Sequence, residues 1–186
     1  LISPRNVVTF WKLSSSTSLL TRQDPMTANT QEQQLARGSL ASFRTFFSSL
    51  APPGLASMQG VYQSAFVGPW WLRAIAVPGL YPIGLGGWWG KQFDGQGQGS
   101  NIVRRRGQLT TRLPVTLAEA PSLIDGRPCL AVLYLPESPF PWPWVIDELR
   151  LIDDRRLLGM TLVTRPPLNR LALPFLLTHR PDHHPI

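Results

Sequence analysis

The sequence predicts a mainly β protein, an antiparallel barrel or sandwich of about eight strands preceded by one amphipathic helix. Three observations point there. Nineteen prolines and 15 glycines interrupt the 186 residues too often for a helical bundle or coiled coil. Beyond residue 58, short runs of aliphatic and aromatic residues alternate with turn signals at near-regular spacing. Hydrophobic residues make up 43% and charged residues only 16%, against ~25% charged in a typical soluble domain, so the chain has material for a core and is no disordered polyelectrolyte.

The helix is expected over 31–50. Leu35, Ala36, Leu40, Phe43, Phe47 and Leu50 recur at spacings of three and four, with Gln, Ser and Arg between them. Thr30 is the expected N-cap with Gln33 as its capping-box partner, and Pro52-Pro53-Gly54 ends the helix. Strands are expected at 59–67, 87–94, 101–106, 108–116, 129–135, 144–152, 156–164 and 171–178. Turns fall at Asp94-Gly95-Gln96-Gly97, Asp125-Gly126-Arg127-Pro128, 136–143, Asp153-Asp154 and Arg165-Pro166-Pro167.

Residues 65–90 hold four tryptophans and a single charge, Arg73. The length suits a membrane span, but Pro69, Pro78 and Pro82 together with four glycines over 79–87 break any continuous helix. The reading is a buried, ligand-lining loop; the alternative is an apolar flap that dips into a membrane interface.

Charge and cysteine content narrow the function classes. The net charge is +7, which invites a nucleic-acid reading, but most of the arginines stand singly among apolar residues. The one cluster is Arg104-Arg105-Arg106, with no nucleic-acid-binding signature around it, so no nucleic-acid partner is expected. A single cysteine, Cys129, excludes an intrachain disulfide framework and a thiolate zinc cluster. Residues 1–25 read as a disordered or non-native leader ahead of a start at Met26, or as a basic, Ser-rich targeting segment. Without them the net charge is +5, since Arg5, Lys12, Arg22 and Asp24 go with them. The expected organisation is then one barrel domain over 26–178, a flexible tail over 179–186, and a cytoplasmic location with membrane association as an option.

Three stretches are more specific than composition. Gly87-Trp88-Trp89-Gly90-Lys91-Gln92-Phe93-Asp94 places two indoles between glycines, the mark of a close backbone approach or a strand bend. Asp125-Gly126-Arg127-Pro128-Cys129-Leu130-Ala131-Val132-Leu133-Tyr134 is a turn leading into an apolar strand, with Cys129 a small buried hydrophobe. Trp144-Val145-Ile146-Asp147-Glu148-Leu149-Arg150, followed by Gly159-Met160, is a strand carrying acids and a guanidinium.

Together these motifs resemble an uncharacterised bacterial family that carries a GxWxG-type motif, a resemblance that spans roughly residues 43–164. The chain departs from it at Gly60-Val61-Tyr62, where Gly-x-Trp is usual. The resemblance implies a lipocalin-like or nitrobindin-like small barrel and carries over no established activity. Haem ligation of the nitrobindin kind would need an interior histidine, and the first histidine in the chain is His179; no cofactor is expected.

On the third motif, Glu148 and Arg150 share one strand face with Trp144, while Asp147 takes the other. If the first face is interior, Arg150, held by Glu148, anchors the acidic head of an apolar ligand. The expected ligand-binding residues are Arg150, Glu148, Trp144, Trp88, Trp89, Tyr134 and Met160, with no catalytic or metal residue assigned. The function that follows is non-catalytic binding of a hydrophobic or amphipathic small molecule, lipid or fatty-acid-like, inside a barrel. Two alternatives stand beside it: an enzyme using Glu148 or Asp147 as acid or base, and a peripheral membrane or interaction protein using 65–90.

Overall fold

The computed structural model describes residues 38–186. The leader at 1–25, Met26, the Thr30/Gln33 cap and the first part of the expected helix lie outside the described residues.

Among the described residues helix α1 spans Leu40–Ser49. Gly38 and Ser39 precede it without helical structure, and Ser39 takes the N-cap, its Oγ accepting from the Ser42 N–H at 3.1 Å. Phe43 and Phe47, one turn apart, form its buried stripe.

Eight strands follow, all those expected, with ends shifted by a few residues. They are β1 (Gln59–Phe66), β2 (Trp88–Asp94), β3 (Gln98–Arg105), β4 (Gln108–Pro121), β5 (Pro128–Tyr134), β6 (Val145–Leu151), β7 (Arg156–Val163) and β8 (Ala172–His179). Each pairs antiparallel with its sequence neighbour, and β8 closes on β1 through Tyr62↔His179 to Phe66↔Phe175. The molecule is therefore a closed eight-stranded up-and-down barrel, with no free sheet edge.

Alternation along the strands sorts the side chains into two layers. Tyr62, Phe93, Val103, Val115, Val132, Leu149, Leu157 and Leu177 fill the interior. Leu158, Met160, Leu162, Cys129 and Ile152 form an outer layer that α1 covers with Phe43 and Phe47. On this side of the barrel both faces of the wall are buried.

Residues 65–90 form more than a loop. They contain a second helix, α2 (Trp70–Gly79), which starts directly after Pro69 and carries Pro78 only in its last turn. Proline is tolerated at such a start, where no helical N–H partner is needed. No helix of the described residues is long and apolar enough to cross a membrane. Of the 179–186 expected as a flexible tail, His179 ends β8 and residues 180–186 run back along the outside of β1 and β2. Arg180 donates to Gln63 Oε1 from Nε at 2.8 Å, His183 stacks on Trp89, and the Ile186 N–H meets Gln92 Oε1 at 2.8 Å.

Candidate functional site: a capped cavity with a polar floor

Up-and-down connectivity places the β1–β2, β3–β4, β5–β6 and β7–β8 connections at one end of the barrel. At that end lies a cavity of about 280 Å³. Its wall is mostly apolar, with Phe66, Trp88, Trp142, Leu173 and Phe175 from the barrel and its rim. Helix α2 and the turn after it form the cap through Leu72, Ile75, Ala76, Gly79, Leu80 and Ile83, residues recurring at helical spacing on one side of α2. Trp142 secures that cap, its indole N–H donating to the Ile83 carbonyl at 2.6 Å.

Tyr134, Asp147 and Thr161 supply the polar part of the lining. Behind them stand Lys91 and Asn101, both fully buried. Lys91 Nζ lies 2.9 Å from Asp147 Oδ2 and donates to Asn101 Oδ1 at 2.9 Å and Tyr134 OH at 3.1 Å. Tyr134 donates to Asp147 Oδ2 at 3.2 Å, and Thr161 to Asp147 Oδ1 at 2.6 Å. Trp88 Nε1 donates to Asn101 Oδ1 at 3.2 Å. The ammonium also faces the Trp88 and Tyr134 rings at 5.8 and 5.1 Å from their centroids, a cation–π arrangement. Burial, reinforced by the Asp147 charge, raises the Tyr134 phenol well above its ordinary value, so it stays a neutral donor.

Two local irregularities aim these groups inward. A register shift between Trp88 and Gly90 inserts one residue into β2, so Trp88 and Lys91 both point inward while Trp89 points out. Gly90 permits it, because a Cβ there would lie 2.0 Å from the Tyr62 carbonyl oxygen. A second shift, opposite Ser100 and Asn101, leaves Leu113 unpaired in β4 with a positive φ of 48°. The Leu113 carbonyl accepts from Asn101 Nδ2 at 3.2 Å and holds that amide in place.

The ammonium's three protons, the phenol proton, the indole proton and the Thr161 proton are all committed within this network. What remains free toward the cavity is acceptor capacity: lone pairs on Thr161 Oγ1 and on Asp147 Oδ1.

Of the expected ligand-binding residues, Trp88 and Tyr134 line the cavity. The others do not. Arg150 is fully buried, but on the outer face beneath α1. Its five N–H groups go to Asp125 Oδ1 and Oδ2 (2.8 Å each), Phe47 O (2.8 Å), Arg127 O (3.2 Å) and Pro128 O (3.2 Å). Its guanidinium sits 4.4 Å from the Phe47 ring centroid. Glu148 does not hold it; that carboxylate accepts from Ser122 Oγ at 2.5 Å and the Leu123 N–H at 2.6 Å. Burial raises the Glu148 pKa, while the Arg150 hydrogen bonds hold Asp125 well below the usual carboxylate range. Met160 is packed under α1. Trp144 is exposed at the rim against Phe140 and Arg165. Trp89 lies outside between Arg104 and His183.

The face assignment on β6 is therefore reversed: Asp147 faces the cavity, and Glu148 and Arg150 face the helix. Lys91, Asn101 and Thr161 are the residues sequence reasoning left out of the site, and Asp147 entered it only as the acid or base of the enzyme alternative. Lys91 and Asp147 nevertheless stand inside the first and third motifs. Among the described residues no histidine lines the cavity, so the wall does not fit a nitrobindin-type haem ligand. His179 ends β8 against the Tyr62 ring at the other end of the barrel.

Fold and site together define a class: a small closed barrel with a helix-capped internal cavity. No family model matches the chain, and no curated protein matches it by sequence. A crystal structure of a protein from Thermomonospora curvata is similar in fold, with a TM-score of 0.63 at 19% sequence identity. The match covers 83% of this chain and 97% of that one.

Proposed function

We propose that the barrel binds a small apolar molecule bearing a hydrogen-bond donor, such as an alcohol or phenol, without transforming it. The observation that carries this reading is an apolar cavity whose polar floor has its donors spent and acceptors to spare. Its volume of about 280 Å³ lies just below the ~300–1,000 Å³ usual for ligand pockets. At about 30 Å³ per water-sized group it holds a molecule of about ten non-hydrogen atoms, shorter than a long-chain fatty acid. The acid-head reading loses its support, because the guanidinium that motivated it lies on the other side of the wall. Membership in the GxWxG-type, lipocalin-like family is part of the proposal. Trp88 and Lys91 of the first motif, Tyr134 of the second and Asp147 of the third converge on this one floor, a clustering that separate structural roles would not require.

The test is a titration followed by tryptophan fluorescence, Trp88 and Trp142 being in the wall. The probes are 4-propylphenol, propylbenzene and 4-propylbenzoate. The phenol should bind about fivefold more tightly than the hydrocarbon, the ratio expected for one hydrogen bond of about 1 kcal/mol. The benzoate, which brings an anion to Asp147, should bind weakest. Failure of all three to saturate would refute the cavity reading; a benzoate as tight as the phenol would refute the donor preference alone. The acid–base alternative narrows to Asp147, since Glu148 faces away, and chemical conversion of any bound probe would favour it.

A further inference from the structure

The connections at the cavity end share a chemistry that their fold does not explain. Helix α2 uses one flank to cap the cavity, yet its other flank is also apolar. Trp70, Trp71 and Val77 are exposed, and Arg73 is the only charge on the helix. A helix apolar all round belongs in an apolar surrounding, and half of this one faces outward. Exposed apolar residues continue around the rim: Tyr81 after α2, Phe140 in the β5–β6 connection and Leu168 before β8. Trp70 and Phe140 are 75% and 71% exposed, more than isolated surface hydrophobics account for when they share one end of a molecule.

Charge is sorted along the same axis. Arg73, Arg104, Arg105, Arg106 and Arg165, all exposed, belong to this end, and Glu137 is the sole acidic residue in its four connections. The opposite end carries Asp94, Asp125, Asp153 and Asp154 together with Arg127, Arg155 and Arg156, so its charge is nearly balanced while the cavity end is basic. Aromatic and aliphatic side chains mixed with arginines are what a lipid interface of negative charge attracts: the rings partition at headgroup level and the guanidinium groups meet phosphates. A second copy of the chain fits poorly, because it would bring a like set of arginines against the first. A nucleic acid would leave the apolar side chains unexplained.

We propose that this end of the barrel is a docking face for anionic bilayers, with the outer flank of α2 lying in the headgroup layer. The proposal stands on exposure and charge alone and does not depend on what the cavity binds. It is tested with the full chain by sedimentation with vesicles of phosphatidylcholine alone and of phosphatidylcholine with phosphatidylglycerol. The protein should sediment with the anionic vesicles and be released by high salt.

Each arginine near an anionic surface is worth about fivefold in partitioning, so Arg105→Glu/Arg106→Glu should lower it by at least about 25-fold. Trp70→Ser/Val77→Ser should weaken it about tenfold or more, since it withdraws buried apolar area. Both pairs are exposed, and unchanged circular dichroism would verify that the variants fold. The proposal is overturned if the protein ignores anionic vesicles, binds both vesicle types equally, or binds undiminished in both variants. It is also overturned if the arginine substitutions abolish binding to a single-stranded oligonucleotide and leave vesicle binding intact. Conversion of a dimer to a monomer by the α2 substitutions, with vesicle binding unchanged, would refute it too.

Discussion

Replacing Arg150 with leucine separates a structural guanidinium from a ligand anchor. In the folded protein all five of its N–H groups are bonded, two of them in a fork on Asp125 and three on the carbonyls of Phe47, Arg127 and Pro128. These partners come from the end of α1, the β4–β5 connection and the first residue of β5, so one side chain on β6 ties the helix and the connection to the barrel. Leucine removes the cation and leaves Asp125 beside an apolar side chain, while the Phe47 and Arg127 carbonyls keep the Leu50 and Ser122 N–H groups. Breaking a buried pair from one side costs about 3–5 kcal/mol. The Asp125 side chain is 15% exposed, which lets water recover part of that, so the expected loss is about 3 kcal/mol. For a chain of this size the melting temperature should fall by about 6–12 °C, at about 2–4 °C per kcal/mol. Urea unfolding followed by circular dichroism measures the loss, and 4-propylphenol titrated well below the melting point should bind as tightly as to the wild type. A destabilisation under about 1 kcal/mol, or weakened ligand binding by a folded variant, would refute the assignment of Arg150 to the outer wall.

Three further outcomes are expected. Lys91→Met should destabilise by about 3–5 kcal/mol because Asp147 is left buried without its cation, whereas Lys91→Met/Asp147→Leu should recover most of the loss in urea unfolding. Asp125 has its pKa lowered by Arg150, so it contributes stability above the unfolded-state value near 3.8 that is lost as pH falls below it; the stability gap between wild type and Asp125→Asn should be widest at neutral pH and close on acidification. Burial, with the nearby Glu148 charge second, pushes the Cys129 thiol up to about 12, so a thiol reagent at pH 8 should leave it unmodified in the folded protein and label it fully in urea.

The eight strands were legible because their chemistry is local. Period-two patterning and turns such as Asp94-Gly95 act over a few residues, and Asp94 Oδ1 does accept from the Gln96 and Gln98 N–H groups across that turn. Helix α2 was hidden by Pro69 and Pro78, which read as breakers although one precedes the first turn and the other sits in the last. Alternation on β6 correctly separated Asp147 from Glu148 and Arg150, yet it could not say which set faces inward. Inside and outside are usually told apart by polarity, and here α1 buries the outer face as thoroughly as the barrel buries the inner one. Lys91 was harder still. Strict alternation from an inward Trp88 points it outward, and only the extra residue at the β2 bulge turns it in.

Strand β6 thus carries two buried polar clusters on opposite sides of one wall, and they do different work. On the outer side, Arg150 and Glu148 find partners only within the protein, and those bonds fasten α1 and the β4–β5 connection. On the inner side, the Lys91–Asp147 pair is an expensive way to hold a barrel together, because apolar residues of like volume would stabilise it as well or better. A cluster of that cost, with its donors consumed and its acceptors turned toward an apolar cavity, is better accounted for by what it can receive than by what it holds. The two sides should therefore respond separately. Outer substitutions such as Arg150→Leu should move the unfolding midpoint and spare the phenol affinity. Thr161→Val, which removes one free acceptor on the inner side, should weaken phenol binding severalfold while propylbenzene binds as before.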